Sequence, residues 1–373
     1  MTPLSGHQVV KWVILLTTCV FLVACSSAPK PSSQTSFQKE ERIALVIGNA
    51  IYETKTITSL KSPVNDAEAM SEKLDQLGFK IIRYDTTTKQ LTMKAPQPNE
   101  KTVVVVQNAN QQMMEAAFKR FGDELNKRKG SKTVALFYYS GHGASFAGRD
   151  YFLTIDADWS KEKIQGLIPI TELFKQINTL NNEDDATTMD GAENSTKKPS
   201  LRSIFIIDAC RDESLITKND RTNVRDFLTK KQEEAVKKEE DSYEEKLNNP
   251  PYLNKPPYRS TISWELQRLK GNREKAEDKA KRLFYDPDKS FIAYATARYQ
   301  TAKAAMYSKK SPYTDVLLEH ITEPDWEIDK LFQIVGEKVK NEHGQQPWRT
   351  NTLDEDFYFA KSPATMSCMG FGC

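Results

Sequence analysis

The sequence predicts an α/β fold, in which a mostly parallel β-sheet is flanked by helices on both faces. The first observation is a set of short apolar runs, such as Arg42–Ile47 and Thr133–Tyr139, that are rich in β-branched and aromatic residues. Runs of this length and composition are typical of strands buried on both faces. The second observation is that helical patterns separate these runs. Such alternation favours a parallel sheet with crossover helices.

The strands are predicted from uninterrupted apolar runs that end at polar residues or glycine. The first run, 42–47, ends at Gly48, and the segment 86–100, which contains two prolines, is predicted as a loop. The predicted strands are 42–47, 79–84, 133–139, 151–155, 203–207 and 290–295, with 357–359 as a short edge strand that ends the fold.

The helices are predicted from apolar residues at helical spacing and from residues typical of helix ends. The first pattern is closed by Gly78, a C-cap signal, and the second ends in a basic cluster that suits the negative end of a helix dipole. Ser311 followed by Pro312 is an N-cap with proline at the first helical position. The predicted helices are 64–77, 109–127, 169–177, 312–320 and 328–339, and 181–198 is predicted as a polar loop.

The N-terminus is predicted to be a targeting segment. Lys11 precedes an apolar run, 12–24, that is too short to span a bilayer comfortably. The end of this run, Leu22–Cys25, resembles a bacterial lipobox, which implies cleavage before Cys25 and lipid on its thiol. The resemblance predicts a protein of the bacterial cell envelope, anchored on the periplasmic face of the outer membrane, with 26–38 as a flexible tether. The alternative is a plain signal anchor with an incidental cysteine.

The charges nearly balance, with 53 Lys and Arg against 51 Asp and Glu and a net charge of +2. This balance gives no overall field that would attract nucleic acid or a membrane surface. The charges are concentrated in the segment 213–289, which also carries two proline pairs and is predicted as an insertion. Its stretch 230–246 is almost free of apolar residues, so it can form a solvated helix but no core.

Five cysteines divide by position. Cys19 leaves with the signal segment and Cys25 is the lipid site. Export to an oxidising compartment makes a disulfide between Cys368 and Cys373 plausible, because the two glycines between them supply the flexibility of a small loop. With that pair formed, Cys210 is the free thiol.

Two predicted strands end in residues that carry chemistry. Cys210 follows the strand 203–207, and His142 follows the strand 133–139 between two glycines. In a parallel sheet both would lie at the edge where ligands bind. A thiol needs a neighbouring base to act as a nucleophile, and the Gly143 N–H can face a developing oxyanion. Each motif alone has a plainer explanation, a tight turn around the histidine and a buried structural thiol.

The sequence resembles the caspase-like cysteine peptidases, in the branch that includes metacaspases and bacterial homologues. The resemblance implies a caspase-like fold with His142 as general base and acid and Cys210 as nucleophile. It also implies an oxyanion hole formed by the backbone N–H groups of Gly143 and Cys210. The stretches that carry the resemblance are 42–49, 62–70, 134–143, 151–157, 204–212, 291–297, 311–321 and 347–359.

The resemblance also bears on specificity. Caspases that cleave after aspartate have Gln two residues before the nucleophile and Gly two residues after it, where this chain has Asp208 and Asp212. Asp66 matches a second acidic residue of the primary pocket of metacaspases. Two carboxylates would bind Arg or Lys and repel aspartate. The alternative for Asp66 is an N-cap of the helix that begins near Val64.

The predicted function is therefore a lipid-anchored cysteine endopeptidase that cleaves after Arg or Lys. Its predicted partners are peptide or protein substrates and a membrane, with no nucleic acid. The sequence requires no cofactor and shows no metal-ligand spacing; for calcium, which many metacaspases need, Asp156 and Asp158 match only loosely. Alternatives are a non-catalytic homologue that acts as a periplasmic scaffold, and acyl transfer by the same dyad.

The predicted segments of the chain are 1–24 signal peptide, 25–40 lipidated tether, 41–212 large part of the caspase-like domain, 213–289 insertion, 290–360 small part of that domain and 361–373 cysteine-containing tail.

Overall fold

The computed structural model describes the predicted core and a few positions of the insertion. The described residues are 40–128, 131–146, 149–159, 164–183, 201–211, 220, 222–224, 226–228, 230, 234, 287, 289–297, 302 and 309–362. The predicted signal segment, Cys25, Asp212 and the C-terminal pair Cys368 and Cys373 lie outside them. Among the described residues, no helix has the length and apolar character needed to cross a membrane.

An eight-stranded sheet forms the centre of the fold, in the order β11-β10-β9-β5-β1-β4-β2-β3. Neighbouring strands from β10 to β4 are parallel, and the two edges of the sheet are antiparallel. Its strands are β1 Glu41–Gly48, β2 Lys80–Asp85, β3 Gln90–Thr92, β4 Val103–Gln107, β5 Thr133–Ser140, β9 Leu201–Asp208, β10 Ser290–Tyr294 and β11 Trp348–Asn351. A second, antiparallel sheet contains β6 Gly143–Phe146, β7 Arg149–Asp158 and β8 Gln165–Pro169.

Helices cover both faces of the large sheet, which confirms the predicted fold class. On one face α1 and two helices near the C-terminus share a core with the strands, and on the other face α2 and α3 do so. The helices are α1 Pro63–Gln76, α2 Gln111–Asn126, α3 Ile170–Glu183, α4 Pro312–His320 and α5 Ile328–His343. The start of α4 is as predicted, because the Ser311 hydroxyl accepts the Thr314 N–H and Pro312 follows it.

Three parts of the sheet differ from the sequence prediction. The predicted loop 86–100 contains a short strand, β3, which pairs with β2. The strand β4 was not predicted, although its four consecutive valines favour a strand. The predicted edge strand at 357–359 is wrong: Tyr358 forms only an isolated bridge to Glu327, and β11 pairs with β10 as the edge. The side chains of Phe357 and Phe359 are buried against the helices, which explains why their sequence is apolar.

The beginning of the insertion contacts the body of the protein. Residues 222–224 and 226–228 are helical, and the side chains of Val224 and Leu228 are buried. They pack in a small apolar cluster with Tyr52, from the loop that follows β1, and with Ala144 and other residues of the β6–β8 sheet. Burial of one such side chain contributes about 1.5–3 kcal/mol, so this helical stretch is held against the body. The sequence analysis did not anticipate this contact.

Candidate active site

The strands β5 and β9 end side by side. They are parallel neighbours, and their register places Ser140 opposite Asp208 at the last rung. The Gly141 N–H continues the contact by donating to the Asp208 carbonyl oxygen at 3.2 Å. His142 and Cys210 each lie two residues beyond this rung, so the structure delivers both predicted residues to one edge of the sheet.

The imidazole of His142 is held from two sides. Its Nε2 lies 2.7 Å from the carbonyl oxygen of Thr58, and its ring centroid is 4.8 Å from that of Tyr52. Because a carbonyl oxygen can only accept a hydrogen bond, Nε2 carries the proton in this contact. Nδ1 is then the nitrogen with the lone pair, and it is the one that can take a proton from a thiol.

The loop that follows β1 supplies residues that the sequence analysis missed. The Tyr52 hydroxyl oxygen accepts the backbone N–H of His142 at 2.8 Å, and the hydroxyl lies 3.3 Å from the carbonyl oxygen of Asn49. Burial raises the pKa of Tyr52 well above its usual value, and the negative charge of a Cys210 thiolate adds to the rise. Tyr52 therefore stays neutral and keeps its place beside the histidine. No local pattern in the sequence indicates this contact.

Within the described residues Cys210 forms no disulfide, and its side chain is partly exposed. Its Sγ lies 3.3 Å from the backbone nitrogen of Ala302, which donates to it, and 3.8 Å from the carbonyl oxygen of the same residue. A backbone N–H directed at sulfur favours a negatively charged sulfur. Partial exposure leaves the thiol open to a substrate, unlike a structural cysteine in a core.

Gly143 lies against the backbone of the cysteine loop. A Cβ atom at this position would stand 2.7 Å from the Cys210 carbonyl oxygen and 3.0 Å from Cβ of Ala209, so a side chain does not fit. At the start of the antiparallel β6–β7 ladder, the Leu153 N–H donates to the His142 carbonyl oxygen at 3.0 Å. Gly143 and Phe152 are the next residues opposite each other, and they therefore form a non-hydrogen-bonded pair. The Gly143 N–H therefore points away from β7, as an oxyanion donor requires.

Asp66 and Asp208 meet beneath this edge of the sheet, and both are buried. Asp66 accepts the Ser140 hydroxyl and the Ser311 N–H, each at 2.9 Å. Asp208 accepts the Ser311 hydroxyl and, at 2.7 Å, the Thr314 hydroxyl. The alternative prediction for Asp66 is wrong, because Ser62 occupies the N-cap position of α1 and Asp66 lies within the first turn.

Burial changes the ionisation of this pair. It raises the pKa of Asp66 to about 7, with the charge of Asp208 as the next cause, and it also raises the pKa of Asp208. The donors from Ser140, Ser311 and Thr314 oppose both shifts. Two carboxylates that share one buried site repel each other, so Asp66 is only partly ionised near neutral pH.

Of the two loosely matched calcium candidates, Asp156 is part of a local hydrogen-bond network and Asp158 is buried at the end of β7. The Asp156 carboxylate accepts the Gln111 N–H at 2.9 Å and the Thr154 hydroxyl at 2.5 Å. Within the part of the chain that the structure describes, no three His, Cys, Asp or Glu side chains gather in a way that could hold a metal ion. A cavity of about 620 Å³ lies beside Asp156 but is lined by neither His142 nor Cys210.

Comparison with known proteins identifies the family of the chain. The family model described as the caspase domain matches residues 41–358. No significant match was found among curated protein sequences. Among solved structures, the chain is similar to the crystal structure of caspase-1 from Spodoptera frugiperda, with 13% sequence identity, a TM-score of 0.47, and coverage of 90% of this chain and 98% of that one. Since the family model covers most of its length, the chain belongs to the caspase-domain family of cysteine peptidases.

Proposed function

We propose that this chain is a cysteine endopeptidase in which Cys210 and His142 form the catalytic dyad. The observation that carries the proposal is the register of β5 and β9, which pairs Ser140 with Asp208 and brings both residues to the same edge of the sheet. The Thr58 carbonyl oxygen, which orients the imidazole, supports it further.

The reaction follows from these groups. Nδ1 of His142 takes the thiol proton, and Sγ of Cys210 attacks the carbonyl carbon of the peptide. The N–H groups of Gly143 and Cys210 stabilise the oxyanion, which collapses as the imidazolium gives its proton to the leaving amine. Water then attacks the thioester with His142 as base, and the carboxylic acid product leaves with the thiol restored.

The specificity that we propose is for Arg or Lys before the cleaved bond. Asp66 and Asp208 supply two carboxylates next to the cysteine loop, in a site where burial strengthens their attraction for a cation. An aspartate side chain would meet like charge there. The support is the position of the two carboxylates, since both lie at the edge of the sheet where β9 ends, two residues before Cys210.

Hydrolysis of fluorogenic peptides tests this function. Peptides with Arg or Lys before the reporter group should be cleaved much faster than peptides with Asp at that position. The same assays in EDTA and with added calcium establish whether a metal contributes. Turnover of none of the peptides, in a preparation whose Cys210 still reacts with iodoacetamide, would instead favour a non-catalytic scaffold.

We further propose that the chain cuts itself in the insertion. The sequence offers basic residues as cleavage sites, and an attached substrate has a high effective concentration. Residues 222–224 and 226–228 are helical, and Val224 is buried, so these residues are not in the extended form that proteases cut, and processing should occur beyond residue 234. The candidate residues from the sequence are Arg221, Arg225, Lys230, Lys231, Lys237 and Lys238.

Mass spectrometry of the purified wild-type chain measures this processing. We expect cuts after Lys237 or Lys238, lost in the double substitution of both residues by Gln and in Cys210→Ala. The matched control, Arg225→Gln, should process normally. An intact insertion in a preparation that cleaves Arg peptides would show that the insertion is only a solvated arm or docking segment.

The membrane anchor is a proposal that rests on the N-terminal sequence. Because Cys25 supplies the sulfur for lipid attachment, Cys25→Ser should abolish labelling by a radioactive fatty acid and leave an unprocessed or released chain. Cys19→Ser, in the same segment, is the control and should be labelled normally. Normal labelling and membrane fractionation of Cys25→Ser would support a plain signal anchor.

A further inference from the structure

Arg211, the residue next to the proposed nucleophile, has a buried and fully engaged side chain. Its Nη2 and Nε lie 2.7 and 3.1 Å from Oδ2 of Asp150. The guanidinium carbon stands 3.7 Å from the ring centroid of Tyr294 and 5.3 Å from that of Trp348. Only 3% of the Arg211 side chain is exposed, so this cation faces protein rather than a substrate. Nothing in the local sequence indicates this ion pair, because its partners are 61 residues apart.

Asp150 is joined just as closely to the hairpin that follows the histidine. It lies at the start of β7 and is the register partner of Ser145 in β6, and the Ser145 hydroxyl donates to its Oδ1. The strand β6 begins at Gly143, directly after His142. The ion pair therefore connects the cysteine loop with the hairpin that carries the histidine loop.

We propose that the Arg211–Asp150 ion pair positions the two catalytic loops relative to each other, an inference that rests on the proposed function. Two catalytic groups on separate loops need a fixed separation, and a displacement of about 1 Å can reduce a rate about 10²-fold. The forked guanidinium suits this task because two of its nitrogens contact one carboxylate while its flat face stacks on Tyr294. Arg211 and Asp150 are thus positioning residues, and neither touches the reacting atoms.

A positioning role differs from an electrostatic one. If the guanidinium acted mainly by attracting the thiolate, then Arg211→Lys, which keeps the charge, would retain activity. Asp150→Asn would then increase the reactivity of Cys210, because it leaves the cation without its counter-charge. If the pair acts by position, both substitutions impair catalysis, since a lysine ammonium lacks the fork and the planar face.

The experiment measures kcat, KM and the rate at which iodoacetamide alkylates Cys210, followed on the Cys210 peptide by mass spectrometry. For Arg211→Lys and Asp150→Asn we expect kcat to fall about 10-fold to 100-fold with KM nearly unchanged. Alkylation at neutral pH should slow about tenfold, because a thiol without a positioned imidazole is only a few per cent thiolate. The control is Arg349→Lys. Arg349 lies on the neighbouring edge strand β11 and forms a half-exposed ion pair with Asp329 of α5, so this substitution should leave all three values unchanged.

A neutral double variant separates positioning from stability. Asp150→Asn combined with Arg211→Met removes both buried charges, so it should melt near the wild-type temperature yet keep the loss of kcat. Full activity of this variant or of Arg211→Lys would overturn the proposal. Faster alkylation in Asp150→Asn would also overturn it, in favour of the electrostatic role. Measuring the alkylation rates requires no peptidase activity. An inactive wild type would therefore contradict the proposed function, while alkylation would still test whether the ion pair positions the two loops.

Discussion

Cys210→Ala and His142→Ala should each reduce peptide hydrolysis by about 10⁴-fold or more without unfolding the protein. Cys210 supplies the atom that attacks the peptide carbonyl in the proposed reaction, and His142 accepts the thiol proton and then gives it to the leaving amine. Neither side chain contributes to the large apolar cores of the sheet. The measurement is kcat/KM on an Arg peptide, together with the thermal melting temperature of each variant.

The double variant distinguishes a dyad from two independent contributions. Residues that act as a unit lose most of the activity singly, so Cys210→Ala/His142→Ala should be little worse than either single variant. His343→Ala, at the C-terminal end of α5, is the matched control and should retain wild-type turnover. Ordinary turnover by Cys210→Ala would refute the mechanism, since a group other than Cys210 would then have to attack the peptide.

The elements that build the site were predictable because each is a local pattern. The runs of β5 and β9 are fully apolar over most of their length, and a buried strand in a parallel sheet must be. Their polar ends, with His142 and Cys210, were therefore visible in the sequence. The four valines of β4 are a local pattern of the same kind, but no element is predicted from the sequence between the loop 86–100 and the helix 109–127.

The contacts that orient the site were not predictable, because they join distant parts of the chain. The Thr58 carbonyl oxygen reaches His142 across 84 residues, and a backbone oxygen leaves no trace in residue type. The burial of Val224 and Leu228 also depends on where the insertion folds back, and two apolar residues one helical turn apart among charged residues do not indicate what they contact. Tertiary packing alone decides such features.

Asp66→Asn and Asp208→Asn should each lower kcat/KM for Arg and Lys peptides by about 10²-fold to 10³-fold. A buried carboxylate that pairs with a cation gains far more than a solvated one, and its amide analogue cannot supply the charge. The sharpest measurement compares peptides that end in arginine or citrulline, which have nearly the same shape and differ in charge. The wild type should strongly prefer arginine, and both variants should lose most of that preference. Asp315→Asn, an exposed position in the first turn of α4, should keep it.

The pH dependence of this pair has a definite sign. Because burial and the charge of Asp208 raise the pKa of Asp66 to about 7, the carboxyl is largely protonated below that pH. A bound cation favours the ionised form, so affinity for an arginine-ended reversible inhibitor should increase as pH rises through about 7, with release of a proton. Without ligand the folded state holds this proton more tightly than the unfolded chain. The free energy of unfolding should therefore fall as pH rises from about 4 to about 7, and Asp66→Asn should remove this fall.

The citrulline-ended inhibitor isolates the aspartates from the dyad, because His142 affects both inhibitors and the pocket charge affects only one. The difference in binding free energy between the two inhibitors should thus rise with pH in the wild type and stay level in Asp66→Asn. An unchanged preference for arginine in both variants would contradict the basic pocket. In that case the two carboxylates would have a structural role, as acceptors of the hydrogen bonds from Ser140, Ser311 and Thr314 that join α1 to the start of α4. Other residues near the cysteine loop would then determine the specificity.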